Sequence, residues 1–356
     1  MRVKKYRLKK EPVIRLVFGL VVFIIALMLV VNYFNGRNTR KLKKIGYNDT
    51  QIKVLKDKKV NLTTITRYPY IEVLTSIVEN KDYKEENLSR YLTTYQATYD
   101  IDTVIYMVNN NLEYEYSEKL ASLIHSDYFI SSNLDRYMKY TKSNNVGEIV
   151  ALVNTNNDYE YYTNTSKANI SKGKLVLVNK FHYLESDYVP ELVKVDNMYA
   201  NLDGNMMEKN AYEALKELIT AADSEGYNIR VNYSYRDYET QEGIYNSYKD
   251  KKDEEYADGV SIRPGYSEHQ TGLVAEVGVQ AKYSKGAFKT SGEYKWMKDN
   301  AYKYGFIMRY PEGKEYITGY SSESGHYRYV GLEAAKYIYE HNITFDEYYA
   351  YFVENN

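Results

Sequence analysis

A histidine and a carboxylate stand seven residues apart in Arg263-Pro-Gly-Tyr-Ser-Glu-His269-Gln-Thr-Gly-Leu-Val-Ala-Glu276. An odd separation puts two side chains on opposite faces of a regular strand, so both can reach one ion only if His269 lies in a turn and Glu276 in the strand after it. Gly272 suits such a bend. A second stretch, Glu323-Ser-Gly-His326, adds another imidazole and another carboxylate. Together they offer two nitrogen ligands, one oxygen ligand and a spare acid. A hydrolytic zinc site needs that inventory: three protein ligands, an open position for water, and a base to take the proton of that water. The chain has no cysteine and only five histidines, so thiolate zinc sites and disulfides are excluded. His125, His182 and His341 have no comparable neighbours and read as ordinary residues.

Several elements must carry these groups. Ala211, Leu215, Leu218, Ile219 and Ala222 predict a helix that stops at Gly226. Ile229, Val231, Tyr233 and Tyr235 alternate with Arg230, Asn232, Ser234 and Arg236, the pattern of a half-buried strand. Gln241 shares a helical stripe with Ile244, Tyr245 and Tyr248, which places an amide toward a core or cleft. Lys174 to Asn179 reads as the start of a strand, and Thr344 with Glu347 as a capping box. These mixed elements predict an α+β domain beyond a boundary near Lys174. Ahead of it, 45–165 reads as helical, with Leu88, Tyr91, Leu92 and Tyr95 on one stripe and no clean repeat.

At three places the chain resembles a known family. Ser234-Tyr-Arg-Asp-Tyr-Glu-Thr-Gln241, Pro264-Gly-Tyr-Ser-Glu-His-Gln-Thr-Gly-Leu273 and His326-Tyr-Arg-Tyr-Val-Gly331 are similar to motifs of VanY-type D-alanyl-D-alanine carboxypeptidases. These are relatives of the zinc fold shared with lysostaphin and hedgehog domains. Val178 to Leu184, Asp187 to Pro190 and Trp296 to Lys314 extend the likeness to about residues 174–354, for which the resemblance implies an α+β fold, a small antiparallel sheet with helices carrying a zinc site. The resemblance implies a Zn2+ carboxypeptidase that removes the terminal D-alanine of peptidoglycan stem peptides, with a D,D or an L,D bond as target. It implies His269, Glu276 and His326 as metal ligands and Glu323 as general base. Arg236 is implied in catalysis, and Ser234, Gln241 and Ser267 in substrate binding. Two positions depart from the family: Glu276 stands where Asp is usual, and Gly325 where Trp is usual. They motivate the alternative of a wall-peptide binding or regulatory module that no longer cuts. In a third reading the helical N-terminal part binds a partner and carries the main role.

Composition narrows the classes. Forty-seven Lys and Arg against 48 Asp and Glu leave a formal charge of −1, so no basic field favours nucleic acid. Leu16 to Phe34 carries no charge and predicts a single transmembrane helix, with residues 1–15 as a cytoplasmic basic tail and the peptidase domain outside the cell membrane. The basic residues on either side orient it only slightly, and no small-residue cleavage site follows, so the reading is an anchor rather than a signal peptide. Oligomeric state is not legible.

Overall fold

Short helices in the first third start where the sequence offers a side-chain oxygen to the free N–H groups of a first turn. Asn48, Asn61, Asp100 and Ser117 cap Asp49–Asp57, Leu62–Ile65, Ile101–Asn109 and Glu118–Ile124. The computed structural model describes residues 10–96, 99–142, 145–280 and 288–354. It forms two compact units, Met1–His125 and Ser126–Asn356. In the first, Leu42, Ile52, Leu55, Ile65 and Leu74 share a core with Leu88 and Leu92, and Tyr95 packs against it. Tyr91 is fully buried, so the predicted stripe is the inward face.

The expected transmembrane helix and single-pass membrane localisation are corrected. Among the described residues no helix is long and apolar enough to cross a membrane. Leu16 to Phe34 lies inside one longer helix, Lys10–Ile45, that continues into basic residues such as Lys43 and Lys44. Residues 1–9 of the expected basic tail lie outside the described residues.

A repeat that the sequence pattern hides is plain in the hydrogen bonds. Tyr91 donates its hydroxyl to Asn109 Oδ1 at 2.6 Å, Asn87 donates to the same oxygen, and Asn109 Nδ2 donates to the Asp82 carbonyl. In the second unit Tyr137 donates to Asn154 Oδ1 at 2.5 Å, Asn133 donates to that oxygen, and Asn154 Nδ2 donates to the Tyr128 carbonyl. Arg90 and Arg136 likewise bond Asn111 and Asn156, both in the left-handed region. The shared signal is Asn-Leu-x-Arg-Tyr followed by Val-Asn, at Asn87 and Asn133 and then at Val108 and Val153. The two segments differ by one residue in length, which breaks a fixed period.

The second unit is built on a four-stranded antiparallel sheet of β5 (Ile229–Tyr233), β6 (Val274–Val279), β7 (Phe306–Tyr310) and β8 (Glu323–Tyr329), in the order β5-β6-β8-β7. Helix Lys209–Ser224 lays Ala211, Leu215, Leu218, Ile219 and Ala222 against Ile229, Val231, Ala275 and Val277. Gly226 follows at φ 86°, as the stop signal requires. Two small pairs precede the sheet: β1 (Ser166–Lys167) with β2 (His182–Tyr183), and β3 (Leu192–Lys194) with β4 (Met206–Glu208). Lys174 to Asn179, expected as a strand, instead closes a 3-10 segment and continues as a buried connector. Its apolar run is set by the burial of Val176, Leu177 and Val178, and Asn179 makes only an isolated bridge to His182. The second unit mixes helices with small sheets, and the Thr344 capping box is present.

Asn154 is 5% exposed and serves Tyr137, Asn133 and the Tyr128 carbonyl at once. Asn154→Ala strands those groups in the interior and is expected to destabilise the protein by about 1–3 kcal/mol in urea unfolding. No change in the unfolding midpoint would refute the structural role of the network.

Candidate active site

Strand register brings the two groups of the sheet together. Glu276 on β6 pairs directly with His326 on β8 and, on its other side, with Tyr233 at the end of β5. Directly paired residues share a face with their Cβ atoms about 5 Å apart. His269 arrives from the turn Glu268–Thr271, which Gly272 ends at φ 70°, so it lies in the turn and Glu276 in the strand as the spacing demands. One donor atom each from His269, Glu276 and His326 lie within 4.8 Å of one another.

Glu323 and His326 are three apart, an odd spacing that a flat strand would send to opposite faces. β8 is irregular there: Tyr310 faces Glu323 and Met308 faces Tyr327, so β8 takes extra residues between those two pairs. This bulge turns the Glu323 carboxylate back to within 3.5 Å of His326 Nδ1. Gly325 sits in the bulge, and a Cβ there would fall 2.7 Å from the Val277 carbonyl oxygen. The strands approach too closely for any side chain, which gives Gly325 a backbone reason.

Each imidazole is aimed from behind. His269 Nδ1 is 2.5 Å from the Ser234 carbonyl, leaving Nε2 on the Glu276 side at 3.9 Å. His326 is 3% exposed, and its Nε2 is buried 3.9 Å from Glu268 Oε2, neither atom having a hydrogen-bond partner. Nδ1 is thus the nitrogen on the Glu323 side. Glu268 is fully buried, and its Oε1 accepts from both Arg309 Nε and Arg328 Nη1 at 2.9 Å. Burial alone would raise its pKa, but the two guanidinium groups hold it below the ordinary carboxylate range. Arg309 also pairs with Asp346, and Arg328 donates to the Lys174 and Val176 carbonyls.

The remaining predicted residues fall into two groups. Arg236 and Gln241 meet: Arg236 Nε donates to Gln241 Oε1 at 2.7 Å, and Gln241 Nε2 donates to the Ile262 carbonyl. Among the described residues the two Nη groups of Arg236 have no hydrogen bond, while Glu276 and Glu323 act on its charge. The Ser267 hydroxyl is buried without a partner. The Ser234 hydroxyl is instead engaged by Asn205 and the Met206 N–H, so its contribution at the cluster is its carbonyl. Sequence reading missed Glu268, Arg309, Arg328 and Asp346. The available signal was a charge inside otherwise apolar strand segments, Phe306-Ile-Met-Arg309 and His326-Tyr-Arg328-Tyr-Val, because charges in buried strands must be paired.

Two imidazoles and one carboxylate with an open side fit a zinc ion of the hydrolytic kind. Glu268, with Oε2 3.9 Å from His326 Nε2, puts a carboxylate on the side where a metal-ligating histidine has its supporting partner.

A family model described as VanY: D-alanyl-D-alanine carboxypeptidase matches residues 204–332. YodJ of Bacillus subtilis (strain 168), whose carboxypeptidase name is provisional, is 40% identical over 181 residues, 49% of this chain and 66% of that protein. The chain thus spans just under two thirds of that relative's length. A bifunctional D-Ala-D-Ala dipeptidase and D-Ala-D-Ala carboxypeptidase, VanXYC of Enterococcus gallinarum, is 30% identical over 184 residues, 51% of this chain and 95% of that one. The solved structure of the LdcB LD-carboxypeptidase superposes with a TM-score of 0.50 at 36% identity, over 53% of this chain and 91% of that chain.

Glu268→Gln keeps the shape but removes the charge opposite His326 and two arginines. Zinc affinity, measured by competition with a chelator, is expected to fall about 10–100-fold, and apo stability by about 3–5 kcal/mol. Unchanged zinc affinity would remove Glu268 from the metal's support. Gly325→Ala is expected to lower stability by about 1–3 kcal/mol through the contact with Val277, read as a drop in Tm.

Proposed function

The chain belongs to the VanY-type D-alanyl-D-alanine carboxypeptidase family, and from that premise we propose that it is a zinc-dependent carboxypeptidase that trims peptidoglycan stem peptides. The observation that carries this reading is the convergence of His269, Glu276 and His326 within 4.8 Å beside Glu323. We place the catalytic domain at 174–354, around the stretch that the family model matches.

When bound by those three residues, zinc supplies Lewis-acid polarisation of the scissile carbonyl and of water. Glu323 is the general base: 37% exposed, it can take the proton of an attacking water and return it to the leaving amine. Arg236, steadied at Nε by Gln241, keeps its Nη pair for the terminal carboxylate of the peptide, a geometry suited to paired charge-assisted bonds. Ser267 offers a buried hydroxyl for the same peptide end. Ser234 acts through its carbonyl, fixing the orientation of His269.

Glu276 takes the place of the family's Asp without leaving the cluster, and Gly325 is fitted to the strand bulge. Both departures are therefore compatible with cutting, which favours the enzyme over the binding module. The dipeptidase and carboxypeptidase relative is named for D-Ala-D-Ala, while LdcB is named as an LD-carboxypeptidase. We assign the terminal D-alanine of a pentapeptide as the first substrate.

Purified full chain with zinc is expected to release D-alanine from a stem pentapeptide. Glu323→Ala should lower the rate by about 10²–10⁴-fold with zinc retained, and His269→Ala should lose the metal. Release from a tetrapeptide alone would reassign the bond to the L,D class. A zinc-loaded protein that releases D-alanine from neither peptide would sink the reading.

A further inference from the structure

Outside the cluster, Lys180 is 9% exposed. Among the described residues its Nζ forms no hydrogen bond and no ion pair, and what surrounds it are ring faces. Nζ lies 3.9 Å from the ring centroid of Tyr161, 4.9 Å from Tyr320 and 5.8 Å from Tyr162. Asp258 is the acid whose charge reaches it, but that carboxylate is committed to Arg263 at 2.8 and 2.6 Å and to Tyr245 at 2.8 Å. Burial draws the pKa of Lys180 down to about 8, and the ammonium form still prevails at neutral pH.

The walls are also short of partners. The Tyr320 hydroxyl is buried without a hydrogen bond, and that of Tyr162 approaches the Arg263 backbone N–H without reaching hydrogen-bond geometry. Tyr162 has φ 61°, a left-handed conformation that strains a bulky residue. Its ring is held there under the Arg263 guanidinium, 4.3 Å from the centroid, and against Tyr266 at 5.0 Å. A strained aromatic wall around a desolvated cation is how ligand clamps are built.

This cage adjoins the proposed cleft on two sides. Tyr320 packs on Tyr310, and Tyr310 on His326, with centroids 5.0 and 4.9 Å apart. On the other side, Tyr266 precedes Ser267 in the chain. Tyr161, 40% exposed, forms the open wall. A purely structural role accounts for this poorly. π faces offset part of the desolvation of an ammonium, whereas an anion offsets it fully and satisfies a phenol hydroxyl as well.

We infer that Lys180, framed by Tyr161, Tyr162 and Tyr320, is a second anion subsite that takes a carboxylate of the bound peptide other than the one held by Arg236. The inference rests on the carboxypeptidase reading, since the peptide is what enters this cleft.

The test uses the zinc-loaded full chain in a Glu323→Ala background, which holds a probe without turning it over. Three pentapeptide probes are titrated calorimetrically: one with free glutamate and terminal carboxylates, one with the glutamate carboxylate amidated, and one with the terminal carboxylate amidated. Lys180→Met should weaken the first probe about 10–100-fold. It should have no effect on whichever amidated probe lacks the group that Lys180 holds. The expected result is loss with the terminally amidated probe and none with the glutamate-amidated one. Zinc content should be unchanged, and Tm unchanged or higher, because an apolar chain relieves a desolvated charge. Binding within twofold of the parent for all probes overturns the inference, as does an equal loss for all three with a lowered Tm. If D-alanine is released by the unaltered protein while Lys180→Met binds normally, this inference alone fails. If no probe binds and nothing is released, the carboxypeptidase reading fails with it.

Discussion

Glu268 is the carboxylate on which the site depends. It has no exposed surface, and one of its oxygens takes both Arg309 and Arg328 at 2.9 Å while the other faces His326. A buried ion pair gives little net stability by itself, but removing one member leaves charges that the interior cannot solvate. The arrangement is therefore close to all-or-none. Arg309 on β7, Arg328 on β8, Asp346 from the last helix and Glu268 from the turn before β6 must all be in place together. Because His269 follows Glu268 in the chain, fixing one positions the other.

The sheet supplies what that ionic centre cannot, which is spacing. Glu276 and His326 are direct partners across β6 and β8, so their separation is a property of the hydrogen-bond ladder and not of side-chain choice. Glu323 is a different case. Its place beside His326 depends on the bulge in β8, and the bulge depends on Gly325, because the Val277 carbonyl fills the space a side chain would need. The glycine that departs from the family's usual Trp is fitted to the backbone around it. The position of the Glu323 carboxylate and the strand irregularity are one feature.

The end of the helical region has a part in the same unit. Asn154 anchors the second of two similar Tyr-Asn networks, and the chain then runs directly into Tyr161 and Tyr162 beside Lys180. Arg136 bonds Asn156 and lies over the Tyr159 ring, which fixes that exit path. The end of the segment read in sequence as helical thus supports Tyr161 and Tyr162, whose rings face Lys180.

That His269, Glu276, Glu323 and His326 could converge was legible because metal chemistry restricts both residue type and spacing, while their expected roles came from the family resemblance. With no cysteine and five histidines, few constellations were open. The helix ending at Gly226, the alternation of β5 and the Thr344 capping box were legible too, since each reflects interactions within a few residues. The apolar run Leu16 to Phe34 misled, because it is part of a longer helix, Lys10–Ile45, that runs on into basic residues, and among the described residues no helix is long and apolar enough to cross a membrane. The repeat escaped because a change of one residue in loop length hides the period while the tertiary hydrogen bonds keep it. Glu268 with its arginines, the bulge at Gly325 and the cage of Lys180 required the tertiary structure. Their residues lie tens to more than a hundred positions apart, and whether a buried charge finds a partner is decided only when the chain has folded around it.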